Sequence, residues 1–535
     1  MPTDVLLVVL LTTVTVSPWF ARLTRLPLPT AQFLLGCVLA ALPAAGQLHV
    51  SPNLILLVVL PMLLFWEGYR TSVAWVRRYW RPILLNGVFL VGVTAALIAV
   101  VAHWFDFPWP AAWSLGAALA PTDASAVTAF GRALPTSLVT VLRAESLIND
   151  GTALVILAVA IQAADHHQFG PGAITLRAVE SYGVGIAVGL AVTVLLLVAV
   201  RRIAEPLVNA SFAISLPFLA AVPAEALHGS GVVAVVTCAL VGSRSARRLV
   251  PGRARQPIHA FWEITTFVLG GALFVLTGVQ VRGLVTGISA SHAASLVAQG
   301  LLITLLALVV RFCWVNLWTV ILRTVDRRPV QRALRAPFRA RAVNAWAGLR
   351  GGISLAAALT VPSVAAGLPF PHRTDLLVIT FVVVAASLLL QGSTLGRVIR
   401  WASPSLPAAD ATAVARARRQ LAERIRRALD DGDLLSDASA EVRDQLRRHV
   451  SVDVDGSADQ QRQVDEMRAN LRVLERKREE LVAMAVAGEV EDTVMWQVQR
   501  LLDNEETRLE ALLSATGSAE LENDDVNVGH GAGRS

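Results

Sequence analysis

Charge is what this 535-residue chain has least of: 16% of its residues are Asp, Glu, Lys or Arg, against the usual quarter in a soluble domain. Hydrophobic residues make up 54%, and the mean hydropathy of +0.57 excludes an ordinary soluble domain. The three cysteines, Cys37, Cys238 and Cys313, are odd in number, far apart and set within apolar runs, which argues against a disulfide framework or a thiolate metal centre. The sequence has no Gly-rich phosphate loop, nucleophile elbow or metal-spaced His/Cys cluster, so it carries no enzyme signature. The strand alternation of a membrane barrel is also missing, which leaves helices as the spanning solution. The first apolar run follows Met-Pro-Thr-Asp without a basic start or a small-residue cleavage site, and reads as a retained helix.

What is present is a series of apolar runs, each close to the roughly 20 residues needed to cross about 30 Å of hydrocarbon as helix. They predict thirteen spans, at 4–20, 27–45, 53–69, 82–102, 110–130, 137–163, 178–200, 206–222, 231–243, 257–280, 297–322, 342–361 and 374–395. The first 402 residues hold 13 acids and 29 bases, and the remainder 27 acids and 18 bases. The sequence pI of 10.2 therefore reflects arginines beside spans and gives no reason to expect a nucleic-acid partner. Those arginines fall in alternate loops: Arg22 and Arg25; Arg70 to Arg81; Arg132; Arg201 and Arg202; Arg244 to Arg255; Arg323 to Arg341. The positive-inside rule then places the N-terminus outside a plasma or inner membrane and the C-terminal region in the cytoplasm.

Thirteen spans accommodate two inverted sets of six around a linking seventh, the arrangement usual in secondary transporters. The expected fold class is all-α, a polytopic helical membrane protein with crossed discontinuous helices and a cytoplasmic helical domain. Residues 1–400 form the transmembrane part. Residues 401–520 carry helical spacing with charges between, as in a regulatory or dimerising helical domain with no assigned partner, and residues 521–535 read as a disordered tail.

Five acids fall inside spans: Glu67, Asp123, Glu145, Asp150 and Glu263. Each costs on the order of 3 kcal/mol at mid-membrane, so together they imply a polar path through the bundle. In span six, "LRAESLINDGTALVIL", Ser146 and Asp150 share one helix face while Glu145 and Asn149 share the next. A carboxylate with a hydroxyl and an amide oxygen is a hard-oxygen donor set suited to an alkali cation. In span five, Pro121 of "APTDASAV" predicts a helix break beside Asp123, which could bind a cation or offset a helix-end dipole. In span twelve, Arg350 stands among Gly348, Gly351 and Gly352, and a buried guanidinium calls for an anionic partner. Arg311, mid-run in span eleven, has no assignable partner and could equally snorkel to the surface.

These motifs, "LLFWEGYR", "PTD", "ESLIND", "FWEITTFVLGGALFVLTGV" and "WAGLRGGISLAAAL", taken in order, resemble those of the monovalent cation:proton antiporters. More narrowly, they resemble the NhaP-type sodium/proton antiporters and their eukaryotic exchanger relatives. The resemblance covers roughly residues 1–400. It implies a homodimer of thirteen-helix protomers, each with a six-helix transport domain around the crossed fifth and twelfth helices. It also implies that Asp150 binds ion and proton, with Asp123, Thr122, Ser146 and Glu67 around it; sodium would sit on Asp150, Asp123 and Ser146. Glu263 would be an accessory acid, and Glu145 would pair with Arg350. Asn149, where electrogenic relatives carry a second aspartate, implies electroneutral exchange. Two positions depart from the family pattern, Ala124 for a common proline and Gly270 for a common asparagine.

The expected function is exchange of cytoplasmic sodium or lithium for external protons by competition at Asp150, serving pH and sodium homeostasis, with no cofactor. Potassium/proton exchange on the same scaffold is the nearest alternative. A gated channel would need a continuous pore, and a membrane-anchored regulator would leave the five acids without a role. His166 and His167, in a predicted external loop, are either solvated or pH-sensing.

Overall fold

A computed structural model describes residues 3–41, 54–123, 136–165, 171–325 and 337–402, apart from 72, 79, 203–204, 250–251 and 366. In the C-terminal region it describes 423–425, 427–428, 458–486, 498 and 502–509. The chain divides into two compact units, residues 1–407 and 408–535.

In hydrocarbon every backbone N–H and C=O must be bonded within its own segment, so apolar runs fold as helices. The longer helices of the first unit begin with α1 (Thr3–Thr24), α2 (Leu28–Ala40), α3 (Leu60–Arg70) and α4 (Val91–Trp104). They continue with α5 (Trp109–Leu119), α6 (Thr136–Asp165), α7 (Pro171–Arg202) and α8 (Pro206–Ala226). Then follow α9 (Gly231–Leu249), α10 (Gly252–Val279), α11 (Ala290–Val325) and α12 (Phe338–Trp346). The series ends with α13 (Gly352–Leu359), α14 (Arg373–Ala386) and α15 (Ser393–Ala402). Wider π-helical stretches lead into α3 (Ile55–Val59) and α4 (Leu85–Leu90) and join α14 to α15 (Ser387–Gly392). A two-residue hairpin, β1 (Val364–Ala365) with β2 (Leu368–Pro369), turns the chain between α13 and α14.

Every interval expected to span contains helix. Among the described residues, seven helices are long and apolar enough to cross a membrane alone, and three shorter apolar ones cover Leu28–Ala40, Ser211–Ala226 and Gly231–Arg244. The other intervals are interrupted: α3 continues from a π-helical stretch, α5 stops at Leu119, and the twelfth interval is two helices, α12 and α13.

Two apolar cores organise the first unit. One packs Ile98 and Ala99 of α4, Ala111 to Leu119 of α5, Ile303 of α11, Ala358 of α13 and Ile379 of α14. The other packs Leu60 to Trp66 of α3, Val192 of α7, Leu216 of α8, Val235 of α9 and Trp262 of α10. Helix α6 belongs to both, through Leu157 in the first and Leu147 in the second. Asp150 therefore lies on the helix at the seam between two separately packed bundles.

In the second unit, α16 (Ala458–Val486) presents Leu474 and Leu481, seven residues apart, to Leu502 of the helical segment 502–509. Arg476 pairs with Glu479 and Glu480 on its outer face. The expected tail at 521–535 lies outside the described residues, as do His166, His167 and Ala124.

Candidate functional site

The site is built where two helices fail. Helix α5 ends at Leu119 because Pro121 has no N–H to continue the ladder and its ring obstructs the preceding turn. Thr122 and Asp123 follow as non-helical chain. Between α12 and α13, residues 348–351 are likewise non-helical, and Gly351 is extended at φ −120° and ψ −164°. The two breaks touch: the Asp123 N–H donates to the Leu349 carbonyl at 2.7 Å. A methyl group on Gly351 would collide with the Asp123 carboxylate, so the close crossing requires glycine there.

A broken helix leaves carbonyls unpaired, and in a dry interior each needs a donor. Arg350 supplies two, from Nε to the Leu119 carbonyl at 3.2 Å and from Nη1 to the Gly348 carbonyl at 2.8 Å. Its own N–H donates to Ser387 Oγ at 2.9 Å. Ser387 Oγ donates in turn to Gln391 Oε1 at 2.8 Å, and Gln391 Nε2 donates to the Trp346 carbonyl at 3.3 Å. The π-helical stretch after α14 thus holds both sides of the span-twelve break.

This geometry corrects the expected pairing of Glu145 with Arg350. Glu145 pairs with Arg311, Oε1 to Nη1 at 2.6 Å, both side chains almost fully buried. Asn86 Nδ2 donates to Glu145 Oε2 at 3.0 Å. Arg311 also reaches the Asn344 carbonyl and Oδ1, each at 3.3 Å, and its Nη1 donates to Thr122 Oγ1 at 3.4 Å. It can pass close to the break because Gly348 has no side chain to meet it. Arg350 is engaged by helix-end carbonyls instead, which carry the negative end of the helix dipole. Arg311 does not snorkel; it is 2% exposed.

Asn149 Nδ2 donates to both the carbonyl and the hydroxyl of Thr122, at 3.2 and 3.0 Å. An aspartate at this position could not make those donations. One turn from Ser146, Asp150 is 3% exposed, and its Oδ2 meets no hydrogen-bond donor among the described residues. Asp123 and Glu67 share a cavity wall with Ser146, one turn before Asp150 on α6.

A cavity of about 350 Å³ reaches this cluster along α3, α6 and α10. Its wall includes Glu67, Arg70, Asp123, Arg143 and Ser146, with Glu263 exposed at the mouth and Gly270 in the α10 side. Arg143 therefore faces the same space as Glu67. A second cavity of about 520 Å³ meets α6 from the other end, beginning at Leu154 and including Gln162, Ser181, Glu225 and Thr360. Asp150 lies between Ser146, where the first cavity touches α6, and Leu154, where the second does.

Among the described residues no group of three or more His, Cys, Asp or Glu side chains is arranged to hold a metal ion. The oxygens near Asp150 are instead carboxylate, hydroxyl and backbone or amide carbonyl, hard donors in small number. Asn86, Asn344, Ser387 and Gln391 carry one signal in the sequence: each is a neutral polar residue within an apolar run.

Residues 9–401 match the family described as sodium/hydrogen exchanger, transmembrane. A protein of Mycobacterium tuberculosis named as an uncharacterized Na(+)/H(+) exchanger is 35% identical over 522 residues, covering 94% of this chain and 96% of that one. A sodium, potassium, lithium and rubidium/H(+) antiporter of Bacillus pumilus is 28% identical over 380 residues, 68% of this chain and 56% of the relative. The fold is similar to that of the sodium proton antiporter MjNhaP1 from Methanocaldococcus jannaschii at pH 8, with TM-score 0.58 and 18% identity, over 73% of this chain and 96% of that one. The chain is an all-α, multi-pass membrane transporter belonging to the sodium/hydrogen exchanger family.

Proposed function

We propose that the protein exchanges cytoplasmic sodium or lithium for external protons, one for one, at Asp150. The observation that carries this reading is a buried aspartate with an oxygen that meets no donor among the described residues, set between two cavities that meet α6 on either side of it. A bare carboxylate in a dry seam is costly, and either a proton or a cation neutralises it. The two ligands therefore compete, and only a neutralised site changes sides. Ser146, Asp123 and the second lone pair of the Thr122 carbonyl complete the cation's oxygens, and Glu67 with Glu263 draws cations into the cytoplasmic cavity. Asn149, a donor to Thr122, keeps the site at one exchangeable charge, which supports electroneutral exchange. The orientation, N-terminus outside, rests on the arginine asymmetry of the loops. The homodimer and the inverted repeats rest on the family resemblance, and the repeats also on the equivalent breaks in spans five and twelve.

Potassium exchange is a second reading, favoured by the Bacillus pumilus relative named for sodium, potassium, lithium and rubidium. Purified protein in liposomes with an imposed pH gradient tests both, challenged with each cation with and without a potassium/valinomycin clamp. Sodium or lithium should collapse the gradient, the clamp should leave the rate unchanged, and Asp150→Asn should abolish exchange. A variant that transports at the normal rate would sink the assignment of Asp150, and strong dependence on membrane potential would sink electroneutrality.

A further inference from the structure

We propose that Glu225 is a cation-receiving carboxylate in the outer access route to Asp150, an inference that rests on the exchange function proposed above. The larger cavity runs from the α8–α9 turn to Leu60 and Leu154, and Leu154 is one helical turn beyond Asp150 on α6. Much of its wall is apolar, from Leu60, Leu154, Leu157, Val159 and Ile161. Glu225 is the one carboxylate among the described lining residues, and no Arg or Lys is among them. The cytoplasmic cavity differs, since its acids share the wall with Arg70 and Arg143.

The chain holds Glu225 in place. It lies in the last turn of α8, and the turn that follows is closed by Gly229 N–H donating to the Ala224 carbonyl at 2.7 Å. His228 is in the left-handed region at φ +58°, and Ser230 N–H ties the turn to the Ser181 carbonyl of α7 at 3.0 Å. The carboxylate rests against Gly231, itself part of the cavity wall; a methyl group there would stand 2.7 Å from Glu225 Oε1. A single negative charge at the mouth of a low-dielectric funnel raises the local concentration of hydrated monovalent cations. Ser181, Gln162 and Thr360 line the same cavity and offer hydroxyl and amide oxygens along the way to the seam.

The carboxylate also stands near the start of α9, where it could serve only to cap that helix. Sidedness separates the two roles. Sodium-driven proton movement is measured in right-side-out and everted membrane vesicles carrying wild type, Glu225→Gln and Glu225→Asp, at low and high choline chloride. For Glu225→Gln the sodium KM at the outer face should rise about threefold and that at the cytoplasmic face should not move. The rise should shrink at high ionic strength, and Glu225→Asp should stay close to wild type. An unchanged outer KM overturns the proposal, and so does an equal change on both faces, which a cap on α9 would give. Should wild type move neither sodium, lithium nor potassium, the exchange reading falls before any variant is compared, and this inference falls with it.

Discussion

Glu145 and Arg311 are two charges buried against each other, and neither can be removed alone without leaving the other uncompensated. Arg311→Met should therefore destabilise the protein by about 3 to 5 kcal/mol, and adding Glu145→Gln should recover much of that loss. A double-mutant cycle on unfolding in mixed micelles measures this. Coupling should be large for Glu145 with Arg311 and below about 0.5 kcal/mol for Glu145 with Arg350. The reverse pattern would restore the pairing that the family resemblance implies. The difference has a physical origin. Both arginines lie in spans, and a sequence shows that a buried guanidinium needs acceptors but not that main-chain carbonyls can provide them. Asp123, Ser146, Asn149 and Asp150 were legible because ionisable or polar groups at helical spacing stand out against an apolar run. Asn86 and Asn344, neutral and isolated, did not.

At the scale of the element, the break in span five was readable from Pro121, and that in span twelve from the glycines around Arg350. What no local pattern conveyed is how the second break is braced. Ser387 and Gln391 sit in a π-helical stretch, where a wider turn points both side chains toward Arg350 and Trp346. Gln391→Leu removes the donor to the Trp346 carbonyl and the acceptor for Ser387 Oγ. We expect it to cost about 1 to 3 kcal/mol in thermal unfolding and to raise the cation KM in liposomes, because residues 347–351 also fix Asp123. A Gln391→Leu protein with unchanged stability and KM would remove the brace from the account. Helix ends were less legible than helix centres. Helices α7 and α11 run beyond their apolar intervals, since a helix once nucleated gains one backbone hydrogen bond for each residue it adds.

For the whole molecule, the division into two apolar cores could not be read from sequence, because both use the same residue types and only packing separates them. Placing α6 between them makes its two ends face different cavities. In a background with Cys37, Cys238 and Cys313 changed to serine, a cysteine at Ser146 and one at Leu154 should react with a membrane-impermeant thiol reagent from opposite faces of the vesicle. Reaction of both from the same face would contradict the two-sided arrangement.

Between Ser146 and Leu154 the helix advances only about 12 Å, and Asp150 occupies the middle of that interval without belonging to either cavity wall. That thin layer outside both cavities bears on energy conservation. If both cavities wetted the aspartate at once, protons could hop down their gradient unaccompanied and the membrane would lose stored energy as heat. In the exchange proposed above, a closed layer one or two turns thick would tie each proton to a counter-moving cation, so the insulation at Asp150 would matter to the cell as much as the affinity.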